Sequence, residues 1–260
     1  MINPVPDSAF LIIEVPYHMG LAEVGAGAGP KRIVAAGADR ILGQRGIPVQ
    51  VQHVSLLDKS CEGLDAVVDL NRQVRLAVRQ AVSQELVPVV IAGNCNSCLG
   101  TLAGLDPWRL GIVWLDAHPD FHTPETSISG SLEGMSLAAA VGDCHEELRA
   151  RTGFGDPVDR GAVYLPACSD IEPGERERAA SAGFATSIPE LASRADSIYL
   201  HIDTDFARPG GMSVREGAAL VKSLMAELPV IAVGVTNYNP STDEDWAGLQ
   251  RTLALIQALA

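Results

Sequence analysis

What most constrains this chain is a set of eight short apolar runs, several unbroken and β-branched, alternating with segments of helical character. They occupy residues 10–15, 48–54, 87–92, 110–115, 162–167, 184–186, 197–202 and 230–235. An unbroken apolar run offers water no polar face, so a strand built from it must be covered on both sides. Such strands alternating with helices predict a parallel sheet flanked by helical layers. The clearest helices are expected over about 62–86, 213–226 and 241–259. Two of them open with capping-box patterns, Ser213 with Glu216 and Ser241 with Glu244, where hydroxyl and carboxylate satisfy free amides of the first turn. No internal repeat, low-complexity tract or linker interrupts the pattern, and one domain spanning 1–260 is expected.

Composition excludes several classes of function. With 47% hydrophobic and 20% charged residues the chain resembles an ordinary globular protein. Its net charge of −13 argues against nucleic acid and against anionic membranes as partners. No apolar run approaches the roughly 18–20 residues that cross a bilayer. The N-terminal "MINPVPDSAFLII" lacks a basic region and a small-residue cleavage site, so a cytoplasmic location is expected. Cys61, Cys95, Cys98, Cys144 and Cys168 are scattered and odd in number, which reads as reduced thiols.

Two of the apolar runs end in chemistry. "GIVWLDAHPDF" closes on Asp116, His118 and Asp120, and "SIYLHIDTDF" closes on Asp203 and Asp205. Side chains two apart on an extended chain share a face. If the strand conformation persists past Leu115, each set projects together beyond a carboxyl strand end, where sites of open parallel sheets gather. Four carboxylates repel one another in a partly buried cleft unless a cation compensates them. Hard oxygen donors with one imidazole suit Mn²⁺ better than Zn²⁺. So many bridging-capable carboxylates imply two ions roughly 3.5–4 Å apart with an activated water between them.

The segment "WLDAHPDFHTPETSISG" resembles the Asp-Ala-His-x-Asp-x-Asn-Thr-Pro motif of the arginase (ureohydrolase) family, and "HIDTDFARPGG" resembles its Ser-x-Asp-x-Asp motif. "GAGAGPKRI", "GNCNSCLG", "CSDIEPGE", "GGMSVREG" and "NYNPS" follow in family order, so the likeness spans nearly the whole chain. The resemblance implies a doubly wound α/β fold, with eight mostly parallel strands between two helical layers, and a dimanganese centre that hydrolyses guanidino groups. Asp116 and Asp203 would bridge both ions, His118 and Asp205 would complete one site, and Asp120 would serve the other and hydrogen-bond the attacking hydroxide.

Departures from the family pattern point to an altered substrate or a metal-poor, non-catalytic member. The family's Gly-Gly-Asp-His-Ser is here Gly93-Asn94-Cys95-Asn96-Ser97, so a metal-ligating histidine becomes Asn96 and one ion would be weakly held. Cys95 offers itself as a replacement ligand. Glu133 stands where the family has a proton-shuttling histidine, and is either an acid or a solvated loop residue. Asn237 replaces the glutamate that clamps the guanidinium, and Arg208 replaces an aspartate. Ser127 and Ser129 match hydroxyls that bind an α-carboxylate, or else they satisfy the loop backbone alone. His122 stands where that branch has asparagine, and Glu172 aligns with the acid that receives the α-amino group. The combination is most similar to the branch of the family serving D-cycloserine biosynthesis. That branch converts N-hydroxy-L-arginine to hydroxyurea and L-ornithine. Arginase-, agmatinase- or formiminoglutamase-type hydrolysis is the alternative.

Other features read less sharply. Cys95-x-x-Cys98 between strand and helix is also the setting of a redox pair. "GAGAGP" misses nucleotide-binding spacing and reads as a loop. His18, His53, His145 and His201 lack ligand spacing and read as structural, and Trp108, Trp114 and Trp246 as core or rim. A monomer or small homo-oligomer is expected.

Overall fold

The computed structural model describes residues 9–44, 46–58, 60–105, 109–207 and 212–260. Among the described residues nine strands run in chain order as β1 Phe10–Val15, β2 Tyr17–His18, β3 Leu21–Ala22, β4 Val49–His53, β5 Val87–Ala92, β6 Leu110–Leu115, β7 Val163–Tyr164, β8 Ser197–Asp203 and β9 Val230–Thr236. Seven form one sheet in the order β4-β1-β5-β9-β8-β6-β7, and every pairing in it is parallel. β2 and β3 make a separate antiparallel hairpin.

Residues alternate between two cores. Leu11, Ile13 and Val90 face one side of the sheet, whereas Phe10, Ile12 and Val89 face the other. The first core is closed by helices Gly63–Ser83 and Ser97–Leu105, the second by Gly29–Ala35, Val214–Glu227 and Ala247–Gln257. Gly63–Ser83 buries Val67, Leu70, Val74, Ala77, Val78 and Ala81, the spacing of one helix face. It lies against Ser97–Leu105 at backbone distance. A Cβ at Gly100 would stand 2.5 Å from the Asn71 carbonyl, and one at Gly104 would stand 2.6 Å from Val78 Cβ.

The structure corrects the sequence reading at two places. The sheet has seven strands among the described residues, not eight. Segment 184–186 contributes one bridge, Tyr164 to Ala185, because Glu190 takes both the backbone amide and the hydroxyl of Thr186. Those bonds turn the chain into helix Ile188–Arg194, which Ser187 caps. The capping box at Ser213 and Glu216 is present, but the one at Ser241 and Glu244 is not. Ser241 instead bonds Asn239, and the Asp243 carboxylate accepts from Gly248 and Leu249, so the last helix begins at Ala247. Trp114 is core, Trp246 is half-exposed beneath Arg32, and Trp108 and Arg208 lie outside the described residues. No helix among the described residues is long and apolar enough to cross a membrane.

Candidate metal centre

Strands β5, β9, β8 and β6 are consecutive in the sheet, and the segments leaving their carboxyl ends carry the acidic and amide groups. The chain does not stay extended past Leu115, contrary to the expectation from alternation. It turns: the Asp116 carboxylate accepts the His118 amide at 2.8 Å, and the Asp203 carboxylate accepts the Asp205 amide at 2.9 Å. The 116–118 and 203–205 spacings are therefore aspartate-closed turns, and the turns bring the two segments together. His118 Nδ1 lies 3.3 Å from Asp116 Oδ1 and 3.1 Å from Asp205 Oδ2. Asp205 also accepts the Ala117 amide at 3.3 Å, tying one segment to the other. Asp116, His118 and Asp205 offer ligand atoms that all lie within 4.8 Å of one another.

Asp120 sits in the left-handed region at φ 47°, with its carbonyl accepting from Leu137 and Ala138. That backbone turn buries its carboxylate, whose Oδ2 has no hydrogen-bond partner. Asp203 Oδ2 accepts from Asn237 Nδ2 and, at 3.2 Å, from Cys95 Sγ. Cys95 in turn lies 3.3 Å from His201 Nε2, whose ring stacks on Trp114 at 3.6 Å.

A cavity of about 370 Å³ opens over these groups. It is lined by Asp116, His118, Asp120, Asp203, Asp205, His122, Glu133, Glu172 and Asn237 among the residues picked from the sequence. Three others are placed elsewhere. Asn96 lines a separate cleft, its amide 3.5 Å from the Met19 sulfur. Ser127 is half-buried and Ser129 exposed, and their hydroxyls accept the amides of Gly130 and Ser131. The cavity also contains residues the sequence reading missed: His18, Ala26, Ser131, Glu175 and Asn239. Glu175 lies three residues beyond Glu172 in "DIEPGE", a spacing that shares a helix face. No spacing signals His18.

Burial sets the electrostatics. It pushes the Asp116 carboxyl up to about 6 and raises Asp120 and Asp203 well above the usual range, with neighbouring carboxylates adding to the shift. His118 is pushed up to about 11 by its bonds to Asp116 and Asp205, so the imidazole holds the shared proton. Burial holds His201 down at about 3 and therefore neutral. It also raises Glu133, with His18 and Asn237 pulling the other way. Crowded carboxylates made reluctant to ionise are what a cation relieves. The unpartnered oxygen of Asp120 and the oxygen-plus-imidazole donor set both fit a divalent ion. The Cys95 and Cys98 thiols, in contrast, are raised well above normal by burial, the reverse of a reactive redox pair.

A model of the arginase family matches residues 8–260. The chain belongs to the arginase family. The arginases of Bacillus caldovelox and Brevibacillus brevis are 29% and 26% identical to it, over 90% and 95% of this chain and 91% and 96% of theirs. The solved structure of the Bacillus caldovelox arginase superimposes with a TM-score of 0.86 at 25% identity, covering 97% of this chain and 98% of that one. The protein is thus an arginase-family hydrolase, and its candidate ligands stand at the carboxyl strand ends of that fold.

Proposed function

We propose that this single-domain, cytoplasmic protein is a manganese-dependent amidinohydrolase acting on an arginine-like amino acid. The observation carrying this reading is the convergence of Asp116, His118, Asp120, Asp203 and Asp205 on one cavity. These five would hold Mn²⁺, with Cys95 closer to hand than Asn96 for a further ligand. A bound divalent ion supplies hydroxide near neutral pH by acidifying water. The chain's own groups do the rest. Asp120, with its free oxygen, orients the nucleophile, and Glu133 handles protons at the guanidino group. Glu172, 3.1 Å from His122 Nε2, receives the α-amino group, and His122 orients that carboxylate. Ser127 and Ser129, in the loop leading to the cavity-lining Ser131, would bind an α-carboxylate.

The finer reading is N-hydroxy-L-arginine, split to hydroxyurea and L-ornithine. Asn237 supports it. Its Oδ1 is buried without a partner, a neutral acceptor where a carboxylate clamp would favour a fully charged guanidinium. An N-hydroxyguanidine is less basic and brings a hydroxyl that donates to such an acceptor. The test is product analysis across arginine, hydroxyarginine, agmatine and formiminoglutamate, with manganese content measured alongside. Hydroxyurea formed at least ten times faster than urea is expected from a discrimination of about 1.4 kcal/mol or more. Equal rates would remove the hydroxyarginine reading and leave the amidinohydrolase. A protein that takes up no manganese and turns over nothing would remove both.

A further inference from the structure

The cavity holds a histidine that none of the family motifs provides. His18 lies at the tip of the β2–β3 hairpin and faces the same cavity as Glu133 and the acidic cluster. Its placement is built rather than incidental. The two residues turning that hairpin, Met19 and Gly20, both have positive φ, 48° and 84°. That is the geometry favoured in two-residue hairpins, although Met19 adopts it at a steric cost. The loop after β5 supplies the support. The Gly93 carbonyl accepts from His18 Nδ1 at 3.1 Å, and the amides of Asn94 and Asn96 approach the Met19 sulfur at 3.1 and 3.5 Å.

Close backbone approach also fixes the hairpin, from that same loop and from the segment around Gly27. A Cβ at Gly93 would stand 2.3 Å from the Tyr17 carbonyl, and one at Gly27 would stand 2.7 Å from the His18 amide. Tyr17 is tethered further, its hydroxyl accepting the Leu56 amide at 3.2 Å. Asn94 and Asn96, which depart from the family pattern and do not line the cavity, thus face the hairpin that carries His18. A carbonyl only accepts, so Nδ1 carries a proton and Nε2 is the nitrogen left for a substrate.

We propose that His18 is a catalytic residue of this site, its Nε2 giving the departing amine its proton while Glu133 collects the proton released from the attacking oxygen. The proposal rests on the amidinohydrolase reading. Hydroxide bonds to the guanidinium carbon and the C=N electron pair moves to nitrogen, leaving a neutral adduct. The bond from the former guanidino carbon to the nitrogen bearing the alkyl chain then breaks, its pair staying on that nitrogen, which takes the Nε2 proton of His18 and leaves as the amine. The hydroxyl proton of the adduct passes to the Glu133 carboxylate as the urea C=O forms. Glu133 returns that proton to His18, so both groups end as they began. His18 and Glu133 line the same cavity, which allows this exchange.

The experiment compares manganese-loaded wild type, His18→Asn and His18→Ala on the substrate that wild type turns over. Asn retains a donor for the Gly93 carbonyl but has no group at the Nε2 position. Both variants should lose about 10²–10⁴-fold in kcat with KM within about threefold, at unchanged manganese content and melting temperature. Added imidazole should restore His18→Ala at least about tenfold and leave wild type unchanged. If His18→Asn keeps kcat within about threefold of wild type, the residue is structural and the proposal is overturned. Loss of manganese parallel to loss of activity, without imidazole rescue, overturns it equally. A wild type silent on every guanidino substrate overturns the functional reading itself, a result separable from either of these.

Discussion

Asn237→Asp returns an acid to the position of the family's clamp, and the geometry predicts that it fails to restore the clamp. Asn237 Nδ2 donates to Asp203 Oδ2 and, at 3.3 Å, to Cys95 Sγ. A carboxylate there loses both bonds and sets two acids against each other. At a separation of about 3 Å and an effective dielectric of ~20 the repulsion is roughly 5–6 kcal/mol. Protonation caps it: keeping one carboxyl neutral at pH 7 costs about 1.36 × (7 − 3.9), or ~4 kcal/mol. Position 237 is half-buried, so solvent screens part of that and about 2–4 kcal/mol remains. For 260 residues the unfolding entropy near the midpoint is about 0.55 kcal/mol/K, which converts the loss to ~4–7 °C. The assay is differential scanning calorimetry of wild type and Asn237→Asp, each with chelator and with saturating manganese. The variant should melt ~4–7 °C below wild type with chelator, and the gap should narrow with metal, because the cation compensates the added charge. Arginine turnover should not rise. An unchanged chelator-treated midpoint, or a variant that gains arginase activity, would refute the electrostatic reasoning.

Manganese at a hundred times its dissociation constant should stabilise the metal-free protein by about 2.7 kcal/mol, a rise of ~5 °C in the same scan. The metal-free protein should lose stability as pH rises from 6.5 toward 11. His118 is raised in the folded state, so its contribution is complete below 6.5 and disappears through about 11; melting against pH in chelator checks this. Glu133→Gln should lower kcat by about 10²-fold or more with little change in KM, measured on the preferred substrate. Gly100→Ala should lower the melting midpoint: forcing a methyl to within 2.5 Å of the Asn71 carbonyl costs about 1–3 kcal/mol or more, against about 1 kcal/mol of helix propensity gained.

The central strands were legible because a two-sided burial requirement writes itself as unbroken apolar runs, as in Val87–Ala92 and Leu110–Leu115. The edge was not. Residues 162–167 and 184–186 read as full strands, yet β7 has two residues and 184–186 a single bridge; at the latter, Glu190 and Ser187 compete for the backbone. The acidic pairs were legible by their spacing, although the reason is a side-chain-closed turn rather than continued extension. His18 was invisible for a different reason. It reaches the cavity through glycine close contacts and a left-handed Met19, interactions between segments far apart in the chain that leave no periodic trace.

The departures from the family pattern cease to look independent once they are placed on Asp203. Cys95 and Asn237 both direct a neutral group at the same oxygen, Oδ2, where the family pattern would put two acids nearby. Either acid alone would leave the other's neutral partner in place, yet would face Asp203 without a donor and add to a carboxylate already raised by burial, Asp116 and Asp205. A neutral donor at 237 leaves its carbonyl oxygen turned away from Asp203 and without a partner, so the change that calms Asp203 also creates the acceptor available to substrate. Substrate choice and metal-site charge are therefore coupled through one side chain. The same coupling means that arginine specificity would have to be engineered at positions 95 and 237 together, and that the double variant should depart from the sum of the single changes.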